Sequence, residues 1–289
     1  MDNLKAKKRH PEEIAVYTAI YVCAAFSVLL LLGIIIYVFA KGARRVNWAF
    51  LTGVTSILHG TVGIAGNILN TLIIILLTMI ITTPIGVGAA IYLNEYAKPG
   101  KLVTVIIFAT ETLAGIPSII FGLFGMLFFG QLCHMGYSLL TGSLTLTLMV
   151  LPLVTRNTQE ALKTVPDSFR TGAVGLGAGK WYTIRTILLP SAMPGIVTGV
   201  ILAIGRIIGE SAALLFTAGS AHLLPKTFNA FLEKIFHSGG TLTIQLYLSA
   251  SKGEFEVAFG IAVVLLVIVV QRGSLRSLKS TNLGGIYEQ

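Results

Sequence analysis

Charge is the scarcest property of this 289-residue chain: Asp, Glu, Lys and Arg together make up 11% of it, against 54% hydrophobic residues. Water-soluble domains carry about 25% charged residues, so a soluble fold is excluded. Disorder is excluded as well, because it needs low hydrophobicity and high charge. Cysteine is nearly absent, with Cys23 in an apolar run and Cys133 in a short linker, so there is neither a disulfide framework nor a Cys-x-x-Cys metal or redox pair. The five histidines (His10, His59, His134, His222 and His237) are scattered and suggest no metal site. His-Glu-x-x-His and Gly-x-Ser-x-Gly are missing, which removes the commonest hydrolase chemistries. The reading is of a protein with no catalytic residues, no metal and no cofactor of its own.

Long apolar runs are what the chain does have; its mean hydropathy is +0.84. Residues 14–40 contain no Asp, Glu, Lys or Arg, and at about 1.5 Å per residue they can cross a hydrocarbon core of roughly 30 Å. The basic stretch Lys5 to Arg9 precedes this run. Signal-peptide cores are only about 7–15 residues long, so the run reads as a retained anchor. Further spans are expected at 68–93, 102–130, 139–155, 189–217 and 257–270. The last has 14 residues and needs Phe255 and Gln271 to complete a crossing. The expected fold is all-α, a polytopic membrane protein of about six transmembrane helices. A basic N-terminal segment (1–13) precedes the transmembrane domain (14–271), and a tail (272–289) follows it.

The 21 basic residues orient the chain. With the N-terminus inside, inner segments hold fourteen Lys and Arg, and outer linkers hold six (Lys41, Arg44, Arg45, Lys226, Lys234 and Lys252). The positive-inside rule then places both termini in the cytoplasm of a multi-pass protein of the cell membrane. The net charge of +9 is accounted for by topology and lipid contact, not by nucleic acid.

The linker at about 160–188 is the informative one. A Walker A loop ending at Gly179-Lys180 would need Gly at 174 and Ser or Thr at 181, where the chain has Val174 and Trp181. A Gly-x-Gly-x-x-Gly reading from Gly175 and Gly177 fails at Lys180. Pro166, Asp167 and Ser168 are helix-start chemistry, and the glycines that follow divide the linker into two short helices about an elbow. Such a hairpin can dock a cytoplasmic partner or merely cover helix ends.

Its spacing resembles the signature of binding-protein-dependent ABC importer permeases: Glu-Ala-Ala, three residues, Gly, nine residues, Ile, one residue, Leu-Pro. Ala173, Gly177, Ile187, Leu189 and Pro190 match, while Thr171 and Gly172 stand where the family has Glu-Ala. Two further stretches, Glu111 to Ile119 and Gly195 to Thr217 (with Arg206-Ile-Ile-Gly-Glu210 and Leu-Leu-Phe-Thr), are similar to the A-type permease subunits of the phosphate-specific importer. There Ser211 and Ala213 depart from Thr and Pro.

The resemblance implies the permease fold of type I ABC importers and a role as half of the path of an ATP-driven phosphate importer. It also implies that Thr171, Gly172, Ala173, Gly177, Ile187, Leu189 and Pro190 couple the chain to an ATPase dimer, which would use the ATP. The further partners it implies are a second, C-type permease and an extracytoplasmic phosphate-binding protein. Other oxyanions, sulfate or molybdate, stay open as substrates, as does a stand-alone channel or secondary transporter.

Arg206 and Glu210, spaced i and i+4, are expected to share one face of the fifth helix and to belong to the anion path, with Glu111 a further member. The pairs Gly195/Gly199 and Gly205/Gly209 are expected at close helix crossings. Pro84, Pro117 and Pro152 are expected to bend helices.

Overall fold

The computed structural model describes residues 11–284, apart from 57–60, 99 and 226. The basic N-terminal segment therefore lies almost wholly outside the described residues, as does the end of the tail. The elements run α1 (Pro11–Gly42), a 3-10 turn (Ala43–Arg45), α2 (Trp48–Thr52) and an antiparallel pair β1 (Val54–Ser56) and β2 (Thr61–Ile64). Next come α3 (Ala65–Ile91) with a π-helical turn (Tyr92–Tyr96), α4 (Lys101–Gly115), and α5 (Ser118–Gly125) with a π-helical end (Met126–Leu132). Then follow α6 (Leu139–Lys163), α7 (Asp167–Gly175), α8 (Lys180–Thr183) with the π turn Ile184–Leu188, α9 (Leu189–Gly209) and α10 (Ala212–Thr217). The last elements are α11 (Phe228–Glu233), a 3-10 turn (Lys234–Phe236), α12 (Leu242–Ser251) and α13 (Phe255–Gly284).

Among the described residues, four helical segments are long and apolar enough to cross a membrane: Ala15–Arg45, Ala65–Tyr96, Leu139–Lys163 and Lys180–Gly209. The expected third span is broken. Pro117 forces Ile116 into extended backbone (ψ 133°), and α4 and α5 diverge by 101°, so that together they form at most one bent crossing. Pro84 and Pro152, by contrast, lie inside unbroken helices. The sixth segment, Phe255–Gln271, is helical throughout but shorter than the four.

The expected fifth span is also corrected. Its helix begins earlier and stops at Gly209; Glu210 is extended (φ −82°, ψ 124°), and α10 restarts beyond it. Glu210 therefore does not share a helical face with Arg206.

The core lies between α3, α6 and α9, around Ile74, Leu146, Val150, Val154, Ala203 and Ile207, with Phe121 and Leu214 added by α5 and α10. Small residues permit the close crossings. A Cβ on Gly195 would come within 2.5 Å of Ala161, and one on Gly199 within 2.6 Å of Asn157, so this pair seats α9 on α6. Gly209 meets nothing within 4 Å and takes no part in such packing. One end of α3 is fastened by carboxamides: Asn67 donates to the Gly240 carbonyl (2.9 Å), and Asn70 to those of Ala221 and Gly240 (both 3.0 Å). By contrast, α1 leaves its apolar surface exposed, which suits a helix bathed in lipid.

Candidate functional site: a charged cavity and an exposed hairpin

Two regions stand apart from this apolar packing. The first is a cavity of about 270 Å3 lined by Thr110, Glu111 and Ala114 of α4, Met149, Pro152, Leu153 and Arg156 of α6, and Arg206 of α9. The break at Pro117 sets the direction of α4 and brings Glu111 to this wall. Arg206 and Glu111, both expected from the sequence, thus meet in one place.

Arg156 was missed as a site residue. The fourth span is expected to end at residue 155, one short of it, yet α6 continues to Lys163. A signal was available, since no Pro or Gly interrupts the chain from Leu153 to Val165. All three charged residues are solvent-accessible, and among the described residues the ion pairs are those of Arg170 alone, so neither Arg156 nor Arg206 is neutralised by a carboxylate. The cavity carries two guanidinium groups and one carboxylate.

The expected Arg206–Glu210 pair is not formed. Glu210 Oε1 instead accepts from the Ala213 backbone N–H (3.1 Å), capping α10, and its carbonyl accepts from the Thr243 hydroxyl (2.8 Å). This carboxylate satisfies a backbone donor left open at the start of α10.

The second region is the hairpin of α7 and α8. At its tip Gly177 has φ +78°; its N–H donates to the Val174 carbonyl (2.9 Å), and that of Ala178 to the Ala173 carbonyl (2.9 Å). This is a Schellman closure, which needs a left-handed residue and hence favours glycine. Of the coupling residues expected from the sequence, Thr171, Gly172 and Ala173 lie on α7, with Ala173 buried. Ile187 falls in the π turn, and Leu189 and Pro190 open α9.

The base of the hairpin is anchored by Leu162, Val165, Ile184 and Leu188, packed with Val87 and Ile91 of α3. Its tip is apolar and open: Leu176 is 91% exposed, and Phe169, Val174, Trp181 and Tyr182 are exposed beside it. Exposed apolar patches of this kind are found where a protein meets another protein or a membrane. Arg170 crosses the base, and its hydrogen bond to Glu95 is the leading reason its guanidinium pKa lies above the ordinary value.

A bundle of apolar spans, a charged cavity among them and an apolar hairpin at one end define a helical membrane subunit built for passage and docking. Residues 82–276 match the model of the binding-protein-dependent transport system inner membrane component, and the chain belongs to that family, a multi-pass membrane permease component. It is 37% identical over 246 residues to a probable ABC transporter permease protein, YqgI, of Bacillus subtilis (strain 168), covering 83% of this chain and 84% of that one. It is 38% identical over 181 residues to the phosphate transport system permease protein PstA of Xylella fastidiosa (strain Temecula1 / ATCC 700964), spanning 62% of each. Among solved structures, a bacterial alginate ABC transporter in complex with its alginate-pentasaccharide-bound periplasmic protein superposes with a TM-score of 0.70 at 14% identity, over 94% of this chain and 96% of that one. At that identity the likeness shows the fold alone, that of a type I ABC importer permease.

Proposed function

We propose that this chain is a permease subunit of an ATP-driven phosphate importer, forming half of the translocation path and taking its energy from a separate ATPase. The observation that carries the reading is the cavity in which Arg156, Arg206 and Glu111 meet among membrane-spanning helices. Ionised residues at such depth cost at least about 2.5 kcal/mol each on insertion scales, so they face water or another protein and not lipid. An open cavity of this kind calls for a second permease to close it.

Two planar forks suit a tetrahedral oxyanion, which each can hold through paired hydrogen bonds. The carboxylate favours phosphate over sulfate. Glu111 can only accept hydrogen bonds; phosphate near neutral pH still carries a proton to donate, and sulfate does not. The relatives that bear phosphate-transport names support the same substrate. Glu210 contributes by fixing the broken turn that ends Arg206's helix.

In this reading the exposed hairpin seats in an ATPase dimer inside the cell, both termini are cytoplasmic, and an extracytoplasmic binding protein delivers phosphate. The complex assembled from these parts in proteoliposomes should take up radiolabelled phosphate on addition of ATP, with unlabelled sulfate and molybdate competing poorly. Uptake suppressed equally by sulfate or molybdate would transfer the reading to another oxyanion. Uptake that needs no ATPase would sink it.

A further inference from the structure

Each arm of the hairpin makes a polar contact with the same turn. From α7, Arg170 Nη2 donates to Glu95 Oε1 at 2.9 Å and Nε to Oε2 at 3.5 Å. The same guanidinium donates to the carbonyls of Leu162 and Val165 at the end of α6 (both 3.0 Å) and to Asp167 Oδ1 (2.9 Å). Asn94 holds Glu95 from behind, its Nδ2 donating to Oε1 at 2.7 Å. From α8, beyond the elbow, Lys180 Nζ lies 4.8 Å from the centre of the Tyr96 ring. Both arms thus land on the Tyr92–Tyr96 π-helical turn, which continues α3 without a break. Glu95 has a side-chain exposure of 9% and Arg170 of 23%, so this pair is shielded in a way that Arg170–Asp167, with Asp167 at 91%, is not.

We propose that Arg170 and Glu95 are positioning residues that make α3 follow the hairpin, so that movement imposed on the exposed tip passes through α3 to α6, which packs against it and lines the cavity. A fork with four partners suits the task, because it ties the end of α6, the start of α7 and the end of α3 through one rigid plane. Without it, the links left among the described residues include the apolar base and the Lys180–Tyr96 contact. The proposal rests on the reading of the hairpin as the ATPase-docking element.

The test uses Glu95→Ala, Arg170→Ala and the double variant in the assembled transporter, measuring phosphate taken up per ATP hydrolysed. Each single variant should assemble and keep hydrolysing ATP while its ratio falls at least about fivefold. The double variant should fall no further than the worse single one, because two residues acting as one unit are not additive. Arg170→Lys keeps the charge but cannot span all four partners, and its ratio should fall as well. A wild-type ratio in Glu95→Ala or Arg170→Lys, or additive losses in the double variant, overturns the proposal.

If the wild-type complex imports no phosphate, the functional reading fails and the latch is judged separately, by hydrogen exchange of residues 165–182 in the full chain. Faster exchange in Glu95→Ala, with no further rise on adding Arg170→Ala, supports the latch. Unchanged exchange overturns it.

Discussion

A guanidinium with no carboxylate partner, set among helices that cross a membrane, has to be used or it would be a net cost. Arg206 and Arg156 are both in that position, lining one cavity. Arg206→Lys separates the effect of shape from that of charge: the ammonium keeps the charge but loses the second parallel hydrogen bond. A hydrogen bond to a charged group contributes about 1.5 kcal/mol, which corresponds to roughly a tenfold change in rate. Phosphate uptake by this variant should therefore fall about tenfold while the complex assembles at wild-type levels; normal uptake would remove Arg206 from the path. Arg156→Gln should lower uptake at least as much, since it removes the charge too. Arg206 was visible in the sequence because a lone basic residue within an apolar run stands out. Arg156 was not, because it begins a polar stretch that looks like a loop until the helix is seen to continue through it.

The elements differ in how openly the sequence declares them. The elbow at Gly177 was readable because its spacing from Ala173 and from Leu189-Pro190 is fixed, and because a φ of +78° is a demand that glycine meets most cheaply. The bend at Ile116–Pro117 was partly readable: proline predicts a break but not its 101° angle, which depends on how α5 packs against α10. The break at Glu210 was hidden. A single glycine, Gly209, precedes it, and glycine is common inside membrane helices, so hydropathy ran straight through to Thr217.

These readings make the elbow the element to break. Gly177→Pro fixes φ near −65° and removes the N–H that donates to Val174, so the closure at the tip cannot form. In the assembled transporter this variant, or deletion of residues 176–180, should abolish ATP-driven uptake, whereas the purified chain alone should hydrolyse no ATP before or after the change. Uptake at the wild-type rate after the deletion would show that the hairpin does not couple.

At the scale of the whole molecule, the open question is which way the bundle faces, and two cysteines make it measurable. Cys133 lies between the π-helical end of α5 and the start of α6, and its side chain is exposed. Cys23 sits near the middle of α1 and is also exposed, but within an apolar stretch long enough to cross a membrane. The two thiols are therefore expected to differ in surroundings, water for Cys133 and hydrocarbon for Cys23. The proposed orientation, based on the excess of Lys and Arg on the hairpin side, has that side in the cytoplasm and Cys133 outside. With single-cysteine variants, a membrane-impermeant maleimide added to intact cells should label Cys133 and leave Cys23 untouched. A polar maleimide does not enter hydrocarbon, so Cys23 should stay unlabelled even after the cells are opened. Labelling of Cys133 only after opening would invert the bundle, put the hairpin outside and leave it no ATPase to meet.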